Sequence, residues 1–427
     1  MKLYKGNIVF SPSLQEIEVL EGGCIAVDNG GRIVELFRRL PEGMEYEACE
    51  DFGERLLIPA FTDLHIHSSQ LPNRGLGYDQ DFESWLNSYT YPMEKKYADP
   101  GHTRQINAKL IEELAENGIM HAVVMSSTDR EATQDLIKQF QDSGLCAYIG
   151  KMNSDISPFG EPAETTEASI RDTLELIHRF NKGDGRVRYI LSPEFIPCCS
   201  EELLRFLGKT AEKYGLAVQS HYAEGEEDVR MVREMYPHIP NYGRAYRAFG
   251  LFGQTPTVMA HSIFTRQDEV ALMAESGVLV AHCPLSNLNI PSGKLMPLRR
   301  YLDAGITVGL GSDIAGGHTL NVLSNMVCAI QTSKQMNLLD GSKPIGLSEA
   351  FYLATRGGGS FFEETGSFEK GFFFDALVLD DVNLCDCVER TPRQRLERLV
   401  YAGDSRNIVR RYCRGKEIRV KGMKPCI

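Results

Sequence analysis

Between residues 57 and 360 the chain repeats one pattern: a short apolar run ending in polar residues, followed by an amphipathic stretch. The runs are "LLIPAFTDLHIH", "GIMHAVVMSS", "LCAYIGKMN", "VRYILSPEF", "LAVQSHYAE", "TVMAHSIF", "VLVAHCPLS" and "ITVGLGSDIAGG". The stretch "TRQINAKLIEELAENG" illustrates the links, with Ile106, Leu110, Ile111 and Leu114 at helical spacing and Gly118 as terminator. Parallel strands need crossover helices, so this alternation predicts a parallel α/β architecture. Eight units predict a closed (β/α)8 barrel of the TIM type. A doubly wound open sheet shows the same alternation and stays open on this count alone.

The flanks have a different texture. Residues 1–56 hold "NIVF", "CIAVDN" and "GRIVEL" between Gly and Asn turn signals, and residues 370–427 repeat it in "DALVLDD", "IVRRYC" and "EIRVKG". The expected organisation is a barrel over residues 57–369, with residues 1–56 and 370–427 as two parts of one small β-sandwich domain built from both termini.

Net charge narrows the partners. At -12, the chain lacks the clustered positive field that nucleic acid or an anionic membrane requires, which leaves a small-molecule partner. No stretch approaches a membrane span, and "MKLYKGNIVFSPS" lacks the apolar core of a signal peptide, so a cytoplasmic protein is expected. Eleven scattered cysteines fit reduced thiols better than a disulfide framework. The C-terminal "KPCI" has its cysteine second from the end, not fourth, so prenylation is not expected.

The first run ends in "FTDLHIHSSQ". Residues two apart on a strand share a face, so His65 and His67 project together at the strand end where barrels keep their active sites. Asp63 shares that face and is expected to orient a ring from behind. Taken alone, H-x-H is a weak metal signal. Run five adds His221 and Glu224, run six His261 and run eight Asp313, all at the same end. Imidazoles with a carboxylate around one mouth predict a metal site suited to Zn(II), with Fe(II) also matched by these ligand types.

"PAFTDLHIH", "QSHYAE", "MAHS" and "GLGSD" together resemble the deaminase branch of the amidohydrolase superfamily. "HIHSSQ", "FESWLNSYTYPMEKKY", "AHCPLSNLNIPSG", "GLGSDIAGG" and "YAGDSRNIV" resemble the guanine deaminases in particular, across nearly the whole chain. The resemblance implies one metal per chain held by His65, His67, His221 and Asp313, with metal-bound hydroxide as nucleophile. It implies Asp313 and Glu224 as proton shuttles and His261 as the stabiliser of the tetrahedral centre. The implied reaction is the deamination of an amino-heterocycle, guanine to xanthine and ammonia. A homodimer is implied as well. For Glu224 the alternative is a solvated acid near a helix start, beside Glu226, Glu227 and Asp228.

For substrate contacts, the resemblance points to Gln70, whose amide matches a ring lactam, with a solvent-facing loop glutamine as the alternative. Phe195 would stack on a flat ring or pack the barrel, and Trp85 would wall the pocket or anchor its helix. His221 would touch substrate as well as metal. One departure stands out: guanine deaminases carry an Arg before this Phe, where "LSPEFIP" has Glu194. A donor fork becomes an acceptor, which opens the reading to another purine, a pterin or a triazine. Glu194 bridging a second metal, as in two-metal cyclic amidohydrolases, is a further alternative; a metal-free scaffold is the remotest, since the ligand set is complete. His282 is expected to support its loop, Cys283 to be a buried thiol, and His318 to edge the pocket. His102, His121, His178 and His238 are read as surface or packing residues on helices or loops. Cys198-Cys199 and Cys385-x-Cys387 lack zinc-site spacing and are read as incidental.

Overall fold

The computed structural model describes residues 1–158, 163–181, 185–290 and 293–420. Pro291 and Ser292 of the deaminase-like "AHCPLSNLNIPSG" stretch, and the terminal "KPCI", lie outside the described residues.

Each of the eight apolar runs contains a parallel strand. Phe61–His67, Ile119–Met125, Cys146–Gly150 and Val187–Tyr189 pair in that order, and Val218–Tyr222, Thr257–His261, Leu279–His282 and Val308–Leu310 form a second arc. A parallel bridge between Leu191 and Val218 joins the arcs at one seam. At the other, the Asp313 N–H donates to the His65 carbonyl at 2.8 Å. The first two strands are buried at every position, as expected for parallel strands covered on both faces.

Helices return the chain between strands, and their ends carry local stop and start signals. Asp99 caps Pro100–Glu116, Asp129 caps Arg130–Ser143 and Ser200 caps Glu201–Tyr214, each accepting from first-turn N–H groups. Gly118 follows the first of these at φ +75°, fulfilling its expected role as terminator. Because every barrel strand runs the same way, all eight C-terminal ends open on one mouth.

The terminal segments form one seven-stranded sheet. Ala48–Pro59 lies at its centre, between Lys2–Phe10, which pairs in turn with Glu18–Val27, and Ala376–Leu379, which joins it antiparallel. This is one sheet where two packed sheets were expected, and main-chain bonds tie its edge to the segment before Ala376: Ile33 N–H donates to the Phe372 carbonyl, and Phe374 N–H to the Gly31 carbonyl. Tyr4, Phe52, Phe374 and Tyr412 stack inside it, with the Tyr4 and Phe374 rings 4.1 Å apart.

Three further expectations need correction. The run "LLIPAFTDLHIH" is two strands, because Ala48–Pro59 belongs to the terminal sheet and the barrel begins at Phe61. Residues 370–427 include a helix, Pro392–Ala402, begun by a Thr391/Gln394 capping box and buried through Leu396, Leu399 and Val400. Finally, His121 is on neither helix nor loop; it is buried in the second barrel strand.

Candidate active site

Strand parity delivers the first two groups. His65 and His67 alternate with Leu64 and Ile66, and their Nε2 atoms meet 3.2 Å apart at the mouth. His221 Nε2 lies 3.0 Å from His67 Nε2, while Asp313 Oδ1 lies 3.3 Å from His65 Nε2 and 3.5 Å from His67 Nε2. The four sequence-predicted ligands therefore converge on one point.

Backbone strain helps aim them. Ala223, His261, Ser262 and Asp313 all hold positive φ, between 48° and 68°, at the ends of strands five, six and eight. Each costs of order 1–3 kcal/mol and persists only where the surroundings over-determine it, a pattern concentrated at active sites. Gly311 allows the close approach behind Asp313: a Cβ there would stand 2.8 Å from Cys283 Sγ and 3.0 Å from His65 Cβ.

The electrostatics favour neutral His67 and His221 beside an ionised Asp313. Burial, then the His65 ring, lowers His67 to about 3, and burial with the neighbouring imidazoles puts His221 well below its usual value. Burial acts to raise Asp313, but the His65, His261 and His67 rings outweigh it and hold the carboxyl well below the usual range. His221 Nδ1–H donates to the Glu194 carbonyl at 2.7 Å, which leaves Nε2 with its lone pair toward the cluster.

This donor set fits a divalent ion. Tetrahedral ligands at about 2.0–2.1 Å would sit about 3.4 Å from one another. The measured separations of 3.0 to 3.5 Å match that spacing. His261 stands farther out, its Nε2 3.8 Å from Asp313 Oδ2 and 3.7 Å from Glu224 Oε2, with no hydrogen-bond partner among the described residues.

Glu224 turns toward His261, although its neighbours Glu226 and Glu227 open the helix Glu226–Met235 as a surface acid would. Burial, then the Asp313 charge, pushes its carboxyl up to about 8. A carboxyl held near that value exchanges protons in both directions close to neutrality.

A cavity of about 410 Å³ opens over these groups, bounded by His67, Gln70, Trp85, Phe195, Glu224 and Asp313, with Glu194 and His261 also on its wall. Trp85 both walls the cavity and anchors its helix, its Nε1–H donating to the Leu76 carbonyl. The Glu194 carboxylate accepts from Ser154 Oγ at 2.6 Å and is absent from every group of converging ligand atoms among the described residues. It forms part of the cavity wall. Asp63 differs from expectation: it accepts from the main-chain N–H groups of His65 and Ser312, bracing backbone, not a ring.

Two residues escaped the sequence reading. Glu94 accepts from Gln70 Nε2 at 3.1 Å, so Gln70 is a held amide and not a loose loop side chain. Asn287 Oδ1 lies 2.9 Å from His261 Nδ1 and fixes that ring. Both belong to stretches already conspicuous, "YPMEKKY" and "HCPLSN", but only the tertiary contacts identify the residue concerned. Cys283 is a buried thiol, as expected, whereas His318 is exposed, meets Asn289, and is not among the residues lining the cavity.

Residues 56–418 match the Amidohydrolase family. The guanine deaminase of Dictyostelium discoideum is 31% identical, the match spanning 98% of this chain and 98% of that protein. A crystal structure of guanine deaminase from C. acetobutylicum with guanine in its active site superposes with a TM-score of 0.93 at 39% identity, covering 98% of this chain and 100% of that one. An atrazine chlorohydrolase from Arthrobacter aurescens, complexed with zinc, shares the fold at TM-score 0.86 and 21% identity, with coverage of 98% and 95%.

Proposed function

The chain belongs to the amidohydrolase family, and on that premise we propose that it hydrolyses guanine to xanthine and ammonia. The observation that carries this reading is the convergence of His65, His67, His221 and Asp313 beneath a cavity edged by Glu224 and His261.

A divalent ion held by those four residues would supply the Lewis acidity that brings water toward nucleophilic form near neutral pH. The ion proposed at this site is a single zinc, with iron(II) as the other ion these donors suit. The chain's own groups do the remaining work. Gln70, held by Glu94, offers its amide to the ring lactam, while Phe195 and Trp85 flank the ring. Asp313 accepts a proton from the attacking water. Glu224 protonates the ring nitrogen next to the amino-bearing carbon, is recharged with the proton Asp313 took, and protonates the departing amine; the C–N bond breaks, ammonia leaves, and the adduct's hydroxyl proton returns to Glu224 as the carbonyl forms. His261, its ring set by Asn287, hydrogen-bonds the oxygen as it adds to carbon.

Glu194 favours a second reading, a deaminase of another purine, a pterin or a triazine, because its carboxylate offers an acceptor where guanine deaminases carry an Arg donor. On family resemblance the proposal extends to a cytoplasmic homodimer; in the structure, no helix among the described residues is long and apolar enough to cross a membrane.

The test is ammonia release from guanine by metal-replete protein, with xanthine identified as co-product. Failure on guanine with turnover of another amino-heterocycle would transfer the assignment to the second reading.

A further inference from the structure

Away from the mouth, a second cluster of ligand-type groups lies buried at the opposite end of the barrel. His121 is the third residue of strand two and Cys146 the first of strand three, and the two are register partners in the parallel ladder. Cys413 ends the strand Ile408–Cys413 of the terminal sheet, and Asp375 directly precedes Ala376–Leu379 beside it. All four side chains are at most 1% exposed.

From this geometry we propose that His121, Cys146, Cys413 and Asp375 form a structural zinc site joining the barrel floor to the terminal sheet. The inference is independent of the proposed reaction.

Three observations support it. The Cys146 and Cys413 sulfurs lie 3.7 Å apart, far too long for a disulfide, whose S–S bond is about 2.05 Å. Two thiolates at about 2.3 Å from a tetrahedral zinc would be about 3.8 Å apart. His121 Nε2 lies 3.4 Å from Asp375 Oδ2, again the spacing of two ligand atoms on one ion, and the His121, Cys146 and Cys413 donor atoms all fall within 4.8 Å of one another.

The second observation is a buried imidazole, that of His121, held only by loose contacts. Its Nε2 meets Asp375 only at 3.4 Å and neither ring nitrogen makes a well-aligned hydrogen bond among the described residues, a costly state for a buried polar group. A metal ligand would remove that cost. Third, the surrounding charge suits an ion with three anionic ligands. Two thiolates and a carboxylate around a dication leave one negative charge, and the Arg414 guanidinium lies close enough to act on both Cys146 and Asp375. Arg414 also ties the site to the backbone, its N–H donating to Asp375 Oδ1 at 2.5 Å.

Cysteines 267 residues apart in sequence thereby meet at the seam between two layers. An ion there would fasten strands two and three of the barrel to the last long strand of the sheet.

The experiment is metal analysis of the full-length protein, together with the absorption spectrum of cobalt(II)-substituted protein. Two zinc equivalents per chain are expected. A His65→Ala variant should retain one equivalent and, with cobalt, a near-ultraviolet thiolate-to-cobalt charge-transfer band. The Cys146→Ser/Cys413→Ser double variant should lose one equivalent and that band while its mouth site still loads. The inference is overturned if wild-type protein holds one equivalent that vanishes in His65→Ala, or if the cobalt protein lacks the thiolate band. A Cys146–Cys413 disulfide found by peptide mass spectrometry would overturn it equally. The His65→Ala arm decides the matter even if the double variant fails to fold.

Discussion

Glu194 serves His221 with its main chain and the cavity with its side chain: its carbonyl accepts from His221 Nδ1 at 2.7 Å while its carboxylate accepts from Ser154 Oγ at 2.6 Å. The two roles are separable by mutation, since a substitution changes the carboxylate and keeps the carbonyl. Glu194→Arg should therefore leave metal content unchanged and raise kcat/KM for guanine about tenfold, one hydrogen bond's worth of about 1.4 kcal/mol. Steady-state kinetics on guanine and a competing pterin, with metal analysis, check this. Unchanged preference would remove Glu194 from substrate recognition.

Glu224 faces His261 Nε2 at 3.7 Å and stands outside the tight ligand cluster. Glu224→Gln preserves shape and removes the exchangeable proton. Turnover should fall by about 100- to 10,000-fold with metal content intact. Near-normal activity in a metal-replete variant would sink the shuttle role.

Glu94 acts through Gln70, whose Nε2–H it accepts. Glu94→Ala frees that amide and should raise KM for the substrate about tenfold while kcat changes little, the signature of lost uniform binding. Glu94→Gln keeps an acceptor oxygen and should recover most of the affinity. A variant that lost kcat alone would place Glu94 in the chemistry instead.

Asn287 is the analogous positioning residue for His261, at 2.9 Å from Nδ1. Asn287→Ala should lower kcat by about tenfold or more, because the imidazole loses its fixed tautomer and orientation. Recovery in Asn287→Asp, which retains the acceptor, distinguishes ring positioning from a general packing defect. Equal losses in both variants would argue against it.

The helix Pro392–Ala402 is fastened by Arg395, which grips Asp381 with two hydrogen bonds of 2.9 and 2.6 Å and reaches the Glu54 carbonyl. The Arg395 hydrogen bond lowers the Asp381 carboxyl from its ordinary 3.8. A depressed carboxylate pKa stabilises above the unfolded value and loses that contribution as pH falls through the folded one. The Tm gap between wild type and Asp381→Asn should hold steady from pH 7 to about 5 and close below about 4. A gap that survives at low pH would show that the ion pair is not its source.

Much of this was legible in one dimension, for definite reasons. Alternation of apolar runs and amphipathic stretches reports strands and crossover helices, because burial on both faces requires it. His65 and His67 were readable from parity, and His221, His261 and Asp313 from their position at run ends, since a parallel barrel brings those ends to one mouth. The split of the first run at Ala60 was hidden, because the apolar stretch "LLIPAF" crosses it without a polar break and burial is continuous on both sides.

What the tertiary structure alone decided are contacts between elements remote in sequence. Glu94 reaches Gln70 from a neighbouring helix, Asn287 reaches His261 from the helix after the seventh strand, and Asp63 accepts from the Ser312 main chain. His121, Cys146, Asp375 and Cys413 carry no motif spacing, and only the closure of sheet against barrel brings them together. Periodicity encodes which face a side chain takes, a local property of the chain. Which groups meet across a packed interface depends on how whole layers fit, and no local pattern records that.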